Sequence, residues 1–156
     1  DVVIAPPFVS IPAAVAALCS NSAVAISAQN VSEQDNGAFT GETSTMMLKE
    51  LFVRYVIIGH SERRTIYGET NAIINAKIKK SLTANLKPIF CIGETLEERE
   101  GGKLEDVLRS QITEGLAGIE EKDMKSMVVA YEPVWAIGTG VVATVEQAQD
   151  AHAFVR

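Results

Sequence analysis

The segment around Glu132 carries the residues best suited to chemistry. An apolar run over 127–131 ends at this single carboxylate, Pro133 follows at once, and the segment closes with Gly138-Thr139-Gly140. In parallel α/β folds, active sites lie at the C-terminal ends of the strands. A glycine-rich loop at that edge can offer backbone N–H groups to a phosphate or fold over a substrate. An isolated strand-end Glu is more often half of an ion pair, but the loop behind Glu132 favours a general base.

A histidine occupies the same position after an earlier apolar run. Residues 55–58 are followed by Gly59 and His60, and Ser61 could then N-cap a short helix. A helix N-terminus beside an imidazole favours the neutral ring, which can donate a hydrogen bond to a substrate oxygen. A lone His is more often structural. With Glu132 at a strand end two units away, an acid–base pair becomes an equal alternative.

The residues after His60 and around Cys91 allow further interpretations. Glu62 is close enough to His60 to be a second acid, whereas Arg63 and Arg64 are more often ion-pair or interface residues. Cys91 lies in an apolar run with no base beside it, so a buried core residue is favoured over a nucleophile. The charged run over 97–100 has helical spacing and predicts a solvated helix face.

The elements that must position these residues alternate along the chain. Apolar runs of strand type occupy 2–5, 24–28, 55–58, 88–92 and 127–131. They are almost continuously apolar, as strands covered on both faces should be. Helical patterns occupy 11–18, 43–52, 71–82, 104–116 and 145–156. This alternation predicts an α/β fold with a parallel sheet and right-handed crossovers.

The strand spacing narrows the fold further. The runs recur about every 31 residues, which matches roughly 250 residues over the eight units of a (β/α)₈ barrel. The 156 residues therefore hold about five parallel βα units. We expect a single domain over 1–156 with the fold of a partial (β/α)₈ barrel.

Composition excludes several function classes. The formal net charge of −6 argues against a nucleic-acid-binding surface, which needs clustered basic residues. No apolar run approaches the roughly 20 residues of a membrane span, and no signal peptide is visible at the start. Cys19 and Cys91 form no CxxC or metal-type spacing, so a reduced, cytoplasmic protein is expected.

Four motifs resemble the triosephosphate isomerase family in order and spacing. They are Gly59-His60-Ser61-Glu62-Arg63-Arg64, Cys91-Ile92-Gly93-Glu94-Thr95, the segment 131–140, and Ala28-Gln29-Asn30-Val31 with the later Gly37-Ala38-Phe39-Thr40-Gly41-Glu42. The chemistry of that family is well known, and it follows here from the resemblance rather than from the residues alone. It implies an isomerase of glycolysis and gluconeogenesis that interconverts dihydroxyacetone phosphate and D-glyceraldehyde 3-phosphate through an enediolate, with no cofactor and no metal.

The resemblance also assigns roles to residues. Glu132 would be the base, and neutral His60 would polarise the carbonyl, with Glu62 and Cys91 in supporting positions around them. A lid would close over the substrate, and the Gly138 N–H would bind its phosphate. The other lid residues would be Pro133, Val134, Trp135, Ala136, Ile137, Thr139 and Gly140. Thr40 would lie at the tip of a loop that reaches the neighbouring subunit of a homodimer.

The chain departs from the family pattern in ways that leave alternatives open. No Asn-x-Lys strand precedes Asp1, and no phosphate-binding glycine loops follow Arg156. Val141 and Val145 replace a hinge Lys and a helix-opening Pro. We expect a middle segment, strands two to six, that is inactive alone. The alternatives are a five-unit module that only binds or scaffolds, although its bare edge strands disfavour this, and another phosphate-binding barrel enzyme.

Overall fold

The computed structural model describes residues 2–18 and 23–156, so Cys19 lies outside the described residues. Five strands form one sheet: β1 Val2–Ile4, β2 Val24–Ala28, β3 Tyr55–Ile58, β4 Lys87–Ile92 and β5 Val128–Tyr131. All four neighbouring pairs are parallel. The predicted strands are confirmed, with bounds that differ by one residue at β1, β4 and β5.

The strand order identifies the architecture. The strands follow one another across the sheet in chain order, β1-β2-β3-β4-β5. Because right-handed crossovers between successive neighbours all turn the same way, the connecting helices lie on one face. A doubly wound sheet would instead reverse its strand order at a switch point. The observed order confirms the predicted five parallel βα units of a partial (β/α)₈ barrel.

The helices lie between the strands as predicted, with additional short ones. Within the described ranges they are α1 Ile11–Leu18, α2 Thr45–Glu50, α3 Ser61–Thr65, α4 Asn71–Thr83, α5 Leu96–Glu100, α6 Leu104–Gly115, α7 Glu121–Met124 and α8 Val145–Val155. Helix α2 is shorter than the predicted 43–52. Ser44 caps its start by accepting a hydrogen bond from the Met47 N–H, and Phe52 lies beyond its end in the left-handed region at φ 57°.

The core lies between the sheet and the helices. Its fully buried members come from central strands and from helices, among them Val56, Ile58, Phe90, Ile74 and Leu108. The prediction that strands are covered on both faces holds for β2 to β4. It is wrong for β1 and β5, where Val2 and Val128 are 59% and 47% exposed, because each of these strands has a neighbour on one side only.

A buried ion-pair network ties α4 to the residues that follow β2 and β3. The Lys77 ammonium group donates to Glu69 and to Asn30, and Arg63 donates to the same Glu69 oxygen. The Lys77 and Glu69 side chains are 3% and 6% exposed. Burial alone would raise the pKa of Glu69, but the hydrogen bonds and charges of Lys77 and Arg63 outweigh it and hold this pKa below its usual value. The ionised carboxylate therefore stabilises the fold.

We expect the Lys77→Met substitution to lower the free energy of unfolding by about 3 kcal/mol or more, because it removes one partner of a buried pair. Lys80→Met on the same helix is the matched control, since its partner Asp35 is 67% exposed, and it should cost less than about 1 kcal/mol. Urea denaturation at pH 7 measures both.

The lowered pKa of Glu69 gives this prediction a pH dependence. The carboxylate stabilises the unmodified protein above the ordinary pKa of 4.5, and that contribution is lost as pH falls through the lowered folded-state pKa. The difference between unmodified protein and Lys77→Met should therefore shrink on acidification below about pH 4.5. Equal losses for the two lysine variants at pH 7 would contradict the prediction.

Candidate active site

The ends of β3 and β5 bring His60 and Glu132 together. The parallel register places Ile58 opposite Phe90 and Ile92 opposite Tyr131, so three strands end at nearly the same level. The Glu132 N–H donates to the Ile92 carbonyl over 2.7 Å. At this edge the His60 Nε2 lies 3.3 Å from the Glu132 Oε1. The two side chains, 30% and 16% exposed, remain open to a small molecule.

The backbone after β3 determines which nitrogen of His60 faces Glu132. His60 itself is the N-cap of α3, and its Nδ1 accepts a hydrogen bond from the Glu62 N–H over 3.3 Å. The prediction that Ser61 caps this helix is wrong, because Ser61 is already the first helical residue and the imidazole of His60 takes the capping position. Since Nδ1 is an acceptor, the proton of the neutral ring is on Nε2, which faces Glu132.

The Glu132 carboxylate has further neighbours at the same edge. Its Oε2 accepts a hydrogen bond from the Ser61 N–H over 3.1 Å. Cys91 is buried as predicted, and burial, together with the charge of Glu132 and a hydrogen bond to it, raises the pKa of the thiol. Glu62 is closer to solvent: its side chain is 69% exposed, and its Oε2 lies 3.7 Å from the His60 Nδ1.

Gly93 allows β4 and the residue after β5 to approach closely. A Cβ atom added at Gly93 would lie 1.8 Å from the Glu132 carbonyl oxygen, well inside any tolerated contact. The Arg64 guanidinium joins the strand ends from the other side, donating to the Gly59 carbonyl over 2.8 Å and to the Cys91 carbonyl over 3.2 Å. The backbone that carries Glu132 is thus held by close packing as well as by the strand ladder.

The segment behind Glu132 is anchored at its start by a buried carboxylate. Glu94 is fully buried and accepts hydrogen bonds from the Trp135 Nε1 over 2.7 Å, the Tyr131 hydroxyl over 2.9 Å and the Arg99 guanidinium over 2.9 Å. Burial and the bond to Glu94 raise the pKa of Tyr131 to about 12. Arg99 also lies over the Trp135 ring, 4.6 Å from its centroid.

These contacts correct one prediction. The charged run over 97–100 was expected to form a solvated face, but only Glu97 and Glu100 are exposed. Arg99 turns inward because the buried charge of Glu94 requires a partner. Glu98 completes a capping box with Thr95, which accepts the Glu98 N–H while the Glu98 carboxylate accepts the Thr95 N–H.

The second half of the loop is open to solvent. Val134–Ala136 form a 3₁₀ turn with Trp135 buried, whereas residues 137–140 are exposed. Gly138 and Gly140 adopt left-handed φ values of 69° and 78°, which glycine tolerates without strain. The Thr139 hydroxyl donates to the Trp135 carbonyl over 2.8 Å. One end of the loop is therefore fixed, and the other carries the most exposed backbone.

Two clefts meet at the histidine and the glutamate. One is lined by Glu132, Ser61, Gly93 and Val134, and the other by His60, Asn30 and Tyr67, among others. The Gly138 and Thr40 positions lie outside the linings of both clefts. The structure thus brings His60, Glu132, Glu62 and Cys91 together, and it leaves Gly138 and Thr40 on exposed loops.

Two residues with close contacts to this site were not singled out from the sequence. Glu94 lies two residues after the end of β4, and that position close to a strand end was an available signal. Gln111 pairs with both peptide groups of Gly93, but a glutamine within an amphipathic helix gives no signal of such a contact. In residues 2–18 and 23–156, no group of three or more His, Cys, Asp or Glu could hold a metal ion. No helix in this part of the chain has the length and apolar character needed to cross a membrane.

Comparison with known proteins gives one consistent result. A family model described as Triosephosphate isomerase matches residues 1–156. The Triosephosphate isomerase of Syntrophotalea carbinolica is 53% identical over all 156 residues and that of Clostridium novyi 52%; this chain covers 62% of each. That of Herminiimonas arsenicoxydans is 52% identical over 152 residues, which are 95% of this chain and 61% of the relative. The chain spans about 62% of the length of these curated relatives. With a family match over its whole length, the chain belongs to the triosephosphate isomerase family.

Proposed function

We propose that the protein containing this chain interconverts dihydroxyacetone phosphate and D-glyceraldehyde 3-phosphate by proton transfer. The observation that carries the proposal is the 3.3 Å approach of the His60 Nε2 to the Glu132 Oε1 at the ends of β3 and β5. A carboxylate that accepts a proton and an imidazole N–H that donates to an oxygen are the two groups such an isomerisation needs. Membership of the triosephosphate isomerase family supports this substrate class.

The two residues act on adjacent carbons of the substrate. Glu132 removes the proton from C1 of dihydroxyacetone phosphate, and the electron pair of that C–H bond forms a C1–C2 double bond. The carbonyl electrons move to O2, where the His60 Nε2–H stabilises the developing charge. The His60 Nε2 gives its proton to O2 and takes the hydroxyl proton of O1, whose O–H electrons form the C1 carbonyl. Glu132 returns its proton to C2, where the electrons of the C1–C2 double bond form the new C–H bond, and the product is the aldehyde with a hydroxyl at C2. Because the Glu132 Oε2 is bonded to the Ser61 N–H, the carboxylate must turn away from Ser61 to reach the substrate.

The loop behind Glu132 supplies closure in this proposal. Its fixed start, with Trp135 bonded to Glu94, provides a hinge, and its exposed glycines provide backbone N–H groups. The Gly138 N–H binds the phosphate when residues 133–140 close, which excludes water from the enediolate. Val141 directly follows this lid and Val145 is the first residue of α8, where the Thr144 capping box fixes the second hinge.

The remaining features of the proposal concern the whole protein. We propose a cytoplasmic homodimer in which the loop around Thr40 contacts the second subunit, and which uses no cofactor and binds no nucleic acid. The exposure of this loop, including Phe39 at 44%, supports the contact. Sedimentation of the whole protein tests it: a dimer that Thr40→Arg converts to monomers agrees, and an unchanged state contradicts it.

The test of function compares two forms of the chain. A chimaera in which these 156 residues replace the matching segment of the Syntrophotalea carbinolica relative should isomerise glyceraldehyde 3-phosphate. A polypeptide of the 156 residues alone should be at least about 1,000-fold slower, since loss of even one preorganised donor costs about 100- to 1,000-fold. A folded chimaera without activity would overturn the proposed function, and near-normal turnover of the short chain would overturn the second expectation.

A further inference from the structure

We propose that Gln111 is a positioning residue for Glu132, acting through the backbone of Gly93. The proposal rests on the isomerase function proposed above, and it adds a role for a residue of α6 that lines the same cleft as Glu132. It follows from three contacts: the pairing of Gln111 with Gly93, the packing of Gly93 against Glu132, and the attachment of α6 to the core.

The first contact is a two-bond pairing. The Gly93 N–H donates to the Gln111 Oε1 over 2.8 Å, and the Gln111 Nε2 donates to the Gly93 carbonyl over 2.9 Å. One side-chain amide thus satisfies both backbone groups of a residue that has just left β4. It pairs with Gly93 as a peptide group of an adjacent strand would. This fixes the Gly93 peptide groups where the strand ladder has ended.

The second contact is the packing of Gly93 against Glu132, the proposed base, so that the position of Gly93 also restricts that of Glu132. The Gly93 Cα faces the Glu132 backbone so closely that a Cβ would lie 1.8 Å from its carbonyl oxygen and 2.8 Å from its carbonyl carbon. The last ladder bond, from the Glu132 N–H to the Ile92 carbonyl, is directly adjacent. Any shift of Gly93 towards Glu132 is blocked by contact, and any shift away is resisted by Gln111.

The third contact makes Gln111 a rigid support. Leu108 is fully buried and Ile112 packs on the core, so α6 is anchored on either side of Gln111. The same helix reaches the β3 end indirectly. Asn71 donates to the Glu114 Oε2 over 3.2 Å and accepts from Arg64, which holds the Gly59 carbonyl. Helix α6 therefore supports the residue after β4, on which Glu132 packs, and through Asn71 and Arg64 the end of β3 that carries His60.

Loss of this support should slow chemistry more than it weakens binding. Misplacement of a catalytic group by 1 Å can cost about 100-fold in rate, so a partial relaxation should cost about tenfold. We expect Gln111→Met, which keeps the length but removes both hydrogen bonds, to lower kcat about tenfold with KM changed less than about threefold. Gln111→Glu keeps the hydrogen bond from the Gly93 N–H but loses the donor to the Gly93 carbonyl. The kcat of this variant should lie between that of the unmodified protein and that of Gln111→Met.

The matched control is another amide that pairs with backbone. Asn75 Nδ2 donates to the Gly115 and Ala117 carbonyls over 2.8 Å and 3.0 Å, at the C-terminal end of α6. Asn75→Leu removes two hydrogen bonds without touching β3, β4 or β5. It should lower stability by a similar amount and leave kcat within about twofold. This separates a positioning role from general destabilisation.

The experiment uses the chimaera and two readouts. Steady-state kinetics of unmodified protein, Gln111→Met, Gln111→Glu and Asn75→Leu give kcat and KM. Hydrogen exchange gives the protection of the Glu132 N–H, which should fall at least about tenfold in Gln111→Met and stay unchanged in Asn75→Leu. An unchanged kcat in both Gln111 variants, or an equal loss in Asn75→Leu, would overturn the proposal.

The second readout separates this proposal from the proposed function. If the unmodified chimaera folds but has no isomerase activity, the function fails, and the positioning contact is then judged by exchange of the Glu132 N–H alone. Protection that is lost in Gln111→Met supports the contact without the function. Protection that is kept overturns it. Gln111→Glu supplies the same comparison if Gln111→Met does not fold.

Discussion

Replacing Glu132 by aspartate in the chimaera is expected to lower kcat about 100-fold while KM changes little, because removing one methylene withdraws the carboxylate by about 1 Å. The base would then be further from the substrate carbon, and the bond from the Ser61 N–H to Oε2 would be lost as well. Binding depends mainly on the phosphate and the lid in our account, so the substrate should still be held. Steady-state kinetics in both directions measure the effect.

The control for this substitution is Glu97→Asp. Glu97 is an exposed glutamate of α5, and it is not among the residues that line either cleft. Its kcat should remain within about twofold of the unmodified protein, as expected for a surface substitution. A Glu132→Asp variant with unchanged kcat, or one affected only in KM, would remove Glu132 as the base.

The second large effect is expected at Glu94. Glu94→Ala should lower the free energy of unfolding by about 3 kcal/mol or more, since Arg99 loses the partner of its charge and Trp135 and Tyr131 lose their acceptor. Glu94 is fully buried, so water cannot readily replace it. Urea denaturation measures the loss. Glu98→Ala removes only one side of the Thr95 capping box and should cost about 1 kcal/mol.

The same substitution should loosen the start of the lid. Trp135 is the single tryptophan of the chain, so its fluorescence reports this hinge without ambiguity. In folded Glu94→Ala the emission should shift to longer wavelength, because the indole loses its buried acceptor and becomes wetter. Glu98→Ala should leave the emission unchanged. A Glu94→Ala variant with unshifted emission and a stability loss below about 1 kcal/mol would show that Glu94 does not anchor the loop.

Much of the fold follows from patterns that burial imposes on the sequence. Central strands such as 55–58 must be apolar on both faces, and Thr70 marks the start of a helix by accepting the Ile73 N–H. Those signals are local, so the strands and long helices could be predicted within a few residues. Two features could not be predicted in this way: the short helices α5 and α7, and the exposure of the edge strands. Both depend on which other elements pack beside them, and the local sequence does not indicate this.

The candidate site likewise has features that the sequence predicts and features that it does not. His60 and Glu132 could be predicted as a pair because parallel strands end at one edge, so position after a strand implies proximity. Which imidazole nitrogen faces Glu132 depends on the Glu62 N–H, a backbone contact that required the structure. The inward contacts of Arg99 and Gln111 could not be predicted for another reason. Their partners, Glu94 and Gly93, are 5 and 18 residues away in sequence, and helical charge or polarity alone gives no indication of an inward contact.

The most direct test of the account is the fate of the substrate hydrogen during turnover in D₂O. We expect the chimaera to convert glyceraldehyde 3-phosphate into dihydroxyacetone phosphate that carries solvent deuterium at C1, because Glu132 holds the abstracted proton within reach of exchange. Glu132→Gln should abolish this incorporation together with turnover, while the fold, followed by circular dichroism, stays intact. Turnover that Glu132→Gln retains, or deuterium that this variant incorporates equally well, would contradict proton transfer through Glu132.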